Sequence, residues 1–128
     1  MDRVTAFENT LALSITDRRT DGITAELAIR PGLLNTQGVL HGGIIATLAD
    51  EAAWHALGNH FGRRAEQSTT AELKVNYLRP ITGEKVRAVT TLLRAGRTLT
   101  VARVDMFDDA GRLGATALVT YMLLSPKS

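Results

Sequence analysis

Cysteine is absent from this chain, which excludes disulfides and thiolate chemistry and fits a reducing compartment. Aromatic residues make up only 5% of the 128 positions, too few stacking platforms for a nucleic-acid reader, and no reading motif accompanies the basic residues. A membrane span is missing as well: the longest apolar stretch, Ile44 to Ala56, is broken by Thr47, Asp50, Glu51 and His55. The opening residues, Met1-Asp-Arg-Val-Thr-Ala-Phe-Glu8, carry acids where a secretory signal needs a basic block followed by an apolar one. His41, His55 and His60 form no HxH or HxxxH set with a suitable carboxylate, so no metal centre is expected. The expectation is a cytoplasmic protein that engages neither membrane nor nucleic acid.

With 45% hydrophobic and 22% charged residues, the composition is that of one globular domain over 1–128, long enough to bury a single core. Net charge is only +2, but nine basic residues face three acids between Arg63 and Arg103. Such an excess can steer a phosphorylated ligand; the plainer use is solvation of outer strand faces.

Hydrophobic periodicity orders the elements. Leu11 to Ile15 reads as a short strand, and Ile23 to Ile29 alternates as a half-buried strand does. A loop holding Asn35 leads into a helix of roughly Gly42 to Gly58, closed by Gly58-Asn59. Four strands follow, over Thr69–Leu78, Val86–Arg94, Leu99–Phe107 and Gly114–Leu124, joined by short glycine-containing turns that favour antiparallel neighbours. The fold class is therefore α+β, an antiparallel sheet wrapped on one helix. Ala46, Ala49, Ala52, Ala53 and Ala56 keep that helix thin enough to sit close to a curved sheet. In the last strand Ala115, Ala117, Val119 and Tyr121 alternate with Leu118 and Met122, so both faces are apolar. A second apolar face implies cover by another subunit.

The stretch from Asn35 to Asp50 carries the chemistry. Gly42-Gly43 opens the helix, where free backbone N–H groups present partial positive charge. Asp50 then interrupts an otherwise apolar run, and such an acid is either expelled to solvent or kept for a purpose. Eight residues along a helix span about 12 Å, too far for Gly42 and Asp50 of one helix to meet the same reacting carbon. If both serve one centre, an antiparallel copy of the helix must supply the second group, giving a dimer with two composite sites.

The pattern Asn35-x-x-Gly38-x-x-His41-Gly42-Gly43, followed by Leu48-Ala49-Asp50, resembles the PaaI-type acyl-CoA thioesterases of the hotdog fold. Tyr77-Leu78-Arg79-Pro80 and Gly96-Arg97-Thr98 fall where that family has its later strand signatures. The resemblance implies a sheet of about five to six strands around one central helix, and hydrolysis of an acyl-CoA to free acid and CoA. It implies that the Gly42 N–H stabilises the oxyanion, beside Gly43 and His41. Asp50 would be general base or nucleophile, Asn35 would position water or thioester, and Thr70 would support Asp50, with Ser68 or Thr69 as its substitutes. Arg79, Arg97, Lys74 or Arg64 would meet CoA phosphates, and Trp54 would line the acyl pocket or the core. No cofactor is implied, since coenzyme A arrives with the substrate; the assembly implied is a homodimer or homotetramer. Two other functions fit the same residues, a hotdog hydratase or dehydratase and a non-catalytic acyl-CoA-binding module. Release of free thiol separates hydrolysis from both.

Overall fold

A computed structural model describes residues 10–124; the opening segment read for a targeting signal lies outside them. The elements in chain order are β1 (Ser14–Arg19), β2 (Gly22–Ala28), α1 (Gly42–Phe61), β3 (Ser68–Tyr77), β4 (Lys85–Ala95), β5 (Leu99–Phe107) and β6 (Leu113–Leu123). Short 3₁₀ turns occupy Pro31–Leu33 and Gly62–Gln67. Two elements differ from expectation by more than a residue. The first strand starts at Ser14 and runs to Arg19, while Leu11 packs into the core ahead of it. The helix continues past Gly58 and stops at Gly62, whose φ of 64° is one that side-chain-bearing residues rarely adopt.

Ile45, Leu48, Ala49, Ala52, Ala53, Ala56 and Leu57 are the buried positions of α1, a stripe spaced by three and four residues. Four of those seven are alanines, which lets the sheet close around the helix, and α1 packs on β2 through β6. Against it lie the inward residues of the strands, among them Ile23, Val86, Val104, Ala117 and Val119. Among the described residues no helix is long and apolar enough to cross a membrane.

All six strands form one sheet in the order β1-β2-β4-β5-β6-β3, with antiparallel neighbours throughout. One expected pairing is therefore corrected: β3 does not pair with β4, but lies at the far edge beside β6. The chain between β3 and β4 crosses the end of the sheet instead of turning tightly. Leu78 N and Arg79 N donate to Gly114 O, and Glu84 N donates to an Asp109 carboxylate oxygen. The crossing segment lies so close to β6 that a Cβ on Gly114 would sit 2.3 Å from Ile81 Cγ1. A side chain there would push the crossover off the sheet.

Asp108 organises the turn from β5 to β6. Its Oδ1 accepts from Ala110 N at 3.0 Å and Arg112 N at 2.9 Å, while Oδ2 accepts from Arg112 Nε at 3.0 Å. The Arg112 backbone N–H, aided by its guanidinium and the Ala110 amide, holds the Asp108 carboxyl below its ordinary value of 3.8 against the opposing effect of burial. A depressed folded-state value means that this turn contributes stability above pH 3.8 and loses it as pH falls further. Asp108→Asn should therefore be less stable than the parent at neutral pH, and the two should converge in acid. Denaturant unfolding at pH 7 and pH 3 measures both; an equal gap at the two values would contradict the assignment.

Candidate active site

The start of α1 is built by His41. Its backbone is extended (φ −61°, ψ 135°), and its Nδ1 accepts the Gly43 N–H at 2.8 Å. The ring therefore acts as the N-cap. His41 O accepts the next two amides, Ile44 N at 2.9 Å and Ile45 N at 3.0 Å. The Gly42 N–H is left without a hydrogen bond among the described residues. One amide thus remains at the positive end of a twenty-residue helix, pointing out of the fold's own hydrogen-bonding.

Asp50 is half-buried on the same helix, and its carboxylate is gripped from the sheet. The β3–β6 register sets Thr70 directly opposite Tyr121, so both side chains share the helix-facing side. Both hydroxyls donate to Asp50 Oδ1, Thr70 at 2.8 Å and Tyr121 at 2.7 Å. The Tyr121 oxygen also lies 3.0 Å from the Asp50 backbone carbonyl, so its one proton is shared between that carbonyl and Oδ1. Immediately after Thr70 the register slips at Ala71, a bulge of the kind that re-aims side chains next to functional sites. Oδ2 accepts no hydrogen bond among the described residues. Burial pushes the Tyr121 phenol above its ordinary value of 10.0, the Thr70 hydroxyl opposes this, and the Asp50 carboxylate adds to it. Tyr121 therefore stays protonated and remains a donor across the working pH range.

A cleft of about 370 Å³ opens at the helix start, walled by Asn35, Leu40, Gly42, Ile45, Tyr77 and Arg79 among others. Tyr77 Oη donates to Gly42 O at 2.7 Å, which sets its ring against the first turn of α1. Asn35 Oδ1 accepts from Gln37 N at 2.9 Å and Val39 N at 3.2 Å, folding the loop that precedes the helix. Its amide nitrogen makes no hydrogen bond among the described residues.

The other expected site residues scatter. Met122, which faces Thr69 across the ladder, is exposed on the outer face, and Ser68 Oγ donates to Ala65 O, so of the three neighbouring hydroxyls Thr70 is the one on Asp50. Trp54, one turn beyond Asp50, packs against the core edge-on to His55 at 5.2 Å. Lys74 pairs across the ladder with exposed Leu118 on the outer face and lines a separate cleft with Arg103. Arg97 sits in the β4–β5 turn, where its carbonyl accepts from Arg64, beyond the other end of the helix from Arg79. Twenty helical residues span about 30 Å, so Arg79 and Arg97 of one protomer cannot grip the same phosphate. The basic excess between Arg63 and Arg103 is likewise dispersed: Lys85 pairs with Glu26 and Arg103 with Asp105. Tyr121 and Tyr77 are residues at the site to which the sequence assigned no role, Tyr77 being read only as part of a strand signature. Tyr121 reads as one more apolar position of its strand, and only the pairing with β3 brings it to Asp50.

One long helix enclosed by a six-stranded antiparallel sheet is the hotdog fold. The model of the thioesterase superfamily matches residues 37–115, and the chain belongs to that superfamily. The medium/long-chain acyl-CoA thioesterase YigI of Escherichia coli strain K12 is 37% identical over 99 residues, covering 68% of this chain. The chain spans 64% of the length of that relative. Rv1847 of Mycobacterium tuberculosis is 31% identical over 127 residues, covering 94% of this chain and 88% of the relative. Its solved structure superposes with a TM-score of 0.86 at 26% identity, over 95% of this chain and 98% of that one. A variant of the phenylacetic acid degradation protein PaaI from Thermus thermophilus shares the fold at 24% identity, with a TM-score of 0.81 over 92% of this chain and 98% of that one.

Proposed function

We propose that this protein hydrolyses an acyl-CoA thioester to a free carboxylic acid and coenzyme A, in a site shared by two protomers. The observation that carries the reading is Asp50, with one oxygen tied by two hydroxyls and the other without a partner among the described residues. Oδ2 takes a proton from water as the water oxygen bonds to the thioester carbon. The carbonyl oxygen becomes an oxyanion and is stabilised by the unengaged Gly42 N–H of the second protomer. Collapse breaks the C–S bond, and the proton held on Asp50 passes to the leaving sulfur. Direct attack by Oδ2, giving a mixed anhydride, is the alternative use of the same atom, and labelled water in a single turnover separates the two. Asn35 positions water or thioester, and the Thr70 hydroxyl holds Asp50. Arg79 binds a phosphate of coenzyme A, a role supported by its position in the cleft wall with Gly42. The name of the YigI relative supports a medium or long acyl chain, as do Leu40, Ile45 and Ile81 along the cleft.

Dimerisation is supported by β3, a ten-residue edge strand exposed along most of its length. Long open edges of that kind are normally paired or guarded. Leu118 and Met122, 42% and 43% exposed on the outer face, support a further closure into a tetramer. The cysteine-free composition supports a cytoplasmic location.

Thiol release from a panel of CoA esters tests the activity, and Gly42→Pro tests the oxyanion assignment. Proline is favoured at the first helical position and deletes only the N–H in question. His41 already has the extended backbone that a residue before proline adopts, and a Cβ on Gly42 would touch Tyr77 at an ordinary 3.5 Å. The expected result is a folded protein with kcat lower by about 10²–10³-fold. Undiminished turnover in that variant would remove Gly42 from the mechanism.

A further inference from the structure

We infer that Tyr121 is the positioning residue that selects which oxygen of Asp50 reacts, an inference resting on the reading of Asp50 as the reacting carboxylate. An aspartate on a helix can turn about two side-chain bonds, and one donor leaves it a choice of oxygens. Tyr121 narrows that choice with one phenolic proton shared between two acceptors of the same residue, the nearer being Oδ1 at 2.7 Å and the farther the main-chain carbonyl at 3.0 Å. Sharing that proton keeps Oδ1 on the same side as the residue's own carbonyl, and Thr70 supplies a second proton to Oδ1.

The two donors are not equivalent. Thr70 is exposed, so water competes for its bond to the carboxylate. Tyr121 is only 4% exposed, and its position on β6 is fixed by strands on both sides. A hydrogen bond from a buried, rigid donor to a charged acceptor is the stronger of the two. Both acceptors of the Tyr121 hydroxyl belong to Asp50, so Tyr121 acts through that residue.

Steady-state kinetics on dodecanoyl-CoA with the full chain test this, using Tyr121→Phe, Asp50→Asn and the double variant. Phenylalanine keeps the ring and its packing and removes only the hydroxyl. Tyr121→Phe is expected to lower kcat by about 10–100-fold, as sub-ångström misplacement of a reacting group does, with KM changed less than about threefold. In the Asp50→Asn background the same substitution should cause no further loss. Tyr121→Phe turnover close to the parent's, with Asp50→Asn inactive, would overturn the inference and leave the base intact. An equal fold-loss in both backgrounds would also overturn it, since a packing role does not depend on the carboxylate. Full turnover by Asp50→Asn would instead overturn the reading beneath it. Thr70→Val, which leaves the core untouched, gives a second measurement should the phenylalanine variant fail to fold. A kcat loss well short of that of Asp50→Asn shows that Tyr121 alone still holds Oδ1 and supports the inference, and a loss equal to that of Asp50→Asn contradicts it.

Discussion

Asp50→Asn is expected to lower kcat for acyl-CoA hydrolysis by about 10²–10⁴-fold, the range over which a positioned general base contributes. The variant is isosteric, and its amide oxygen can still accept from Thr70 and Tyr121, which hold Oδ1 at 2.8 Å and 2.7 Å in the parent. What disappears is the basic lone pair on the second oxygen. Stability should therefore stay near the parent's while turnover falls. Thiol release measured beside a thermal melt separates the two effects. A melting temperature far below the parent's would mean that the carboxylate serves the fold more than the reaction.

The largest effect on stability is expected from Gly22→Ala, a loss of more than about 3 kcal/mol, at the upper end of what overpacking causes. Gly22 opens β2, opposite Thr91 of β4, and a Cβ built there would lie 1.8 Å from Thr90 O. That carbonyl is main chain and is already bonded to the Arg19 guanidinium at 2.9 Å, so it cannot move aside. Arg19 also donates to Thr24 Oγ1 and Ile23 O, and Asn59 at the far end of α1 donates to Arg19 O. Displacing Thr90 would disturb the whole β1–β2 corner. Urea denaturation of the two proteins measures the loss; a difference under about 1 kcal/mol would show that the corner relaxes freely.

The sequence was most readable where structure is local. The helix face follows from the spacing of Leu48, Ala49, Ala52, Ala53 and Ala56, and β5 has the limits that its alternation and flanking turns indicate, Leu99–Phe107. The outward set Leu118 and Met122 follows from a period of two along β6. Gly58 misled because a glycine inside a helix costs only about 1 kcal/mol, which Leu57 and Ala56 offset by packing on the sheet. What could not be read was register. The partner of β3 is decided by a crossover held at Gly114 and Asp109, far along the chain. That choice places Tyr121 across from Thr70 and so determines what Asp50 touches. Arg79 and Arg97 both sit in short polar motifs, yet only the fold shows that a helix length separates them.

The central claim is that Asp50 of one protomer works with the Gly42 amide of its mate. Mixing Asp50→Asn with Gly42→Pro protein under conditions of subunit exchange tests it most directly, by thiol release from an acyl-CoA. Each parent dimer should be nearly inactive, while a mixed dimer holds one site with both lesions and one with neither. An equal mixture at equilibrium should recover about a quarter of wild-type activity, as expected for a twofold dimer with statistical exchange. Proven exchange without any recovery would place both groups in the same protomer's site and contradict the shared arrangement.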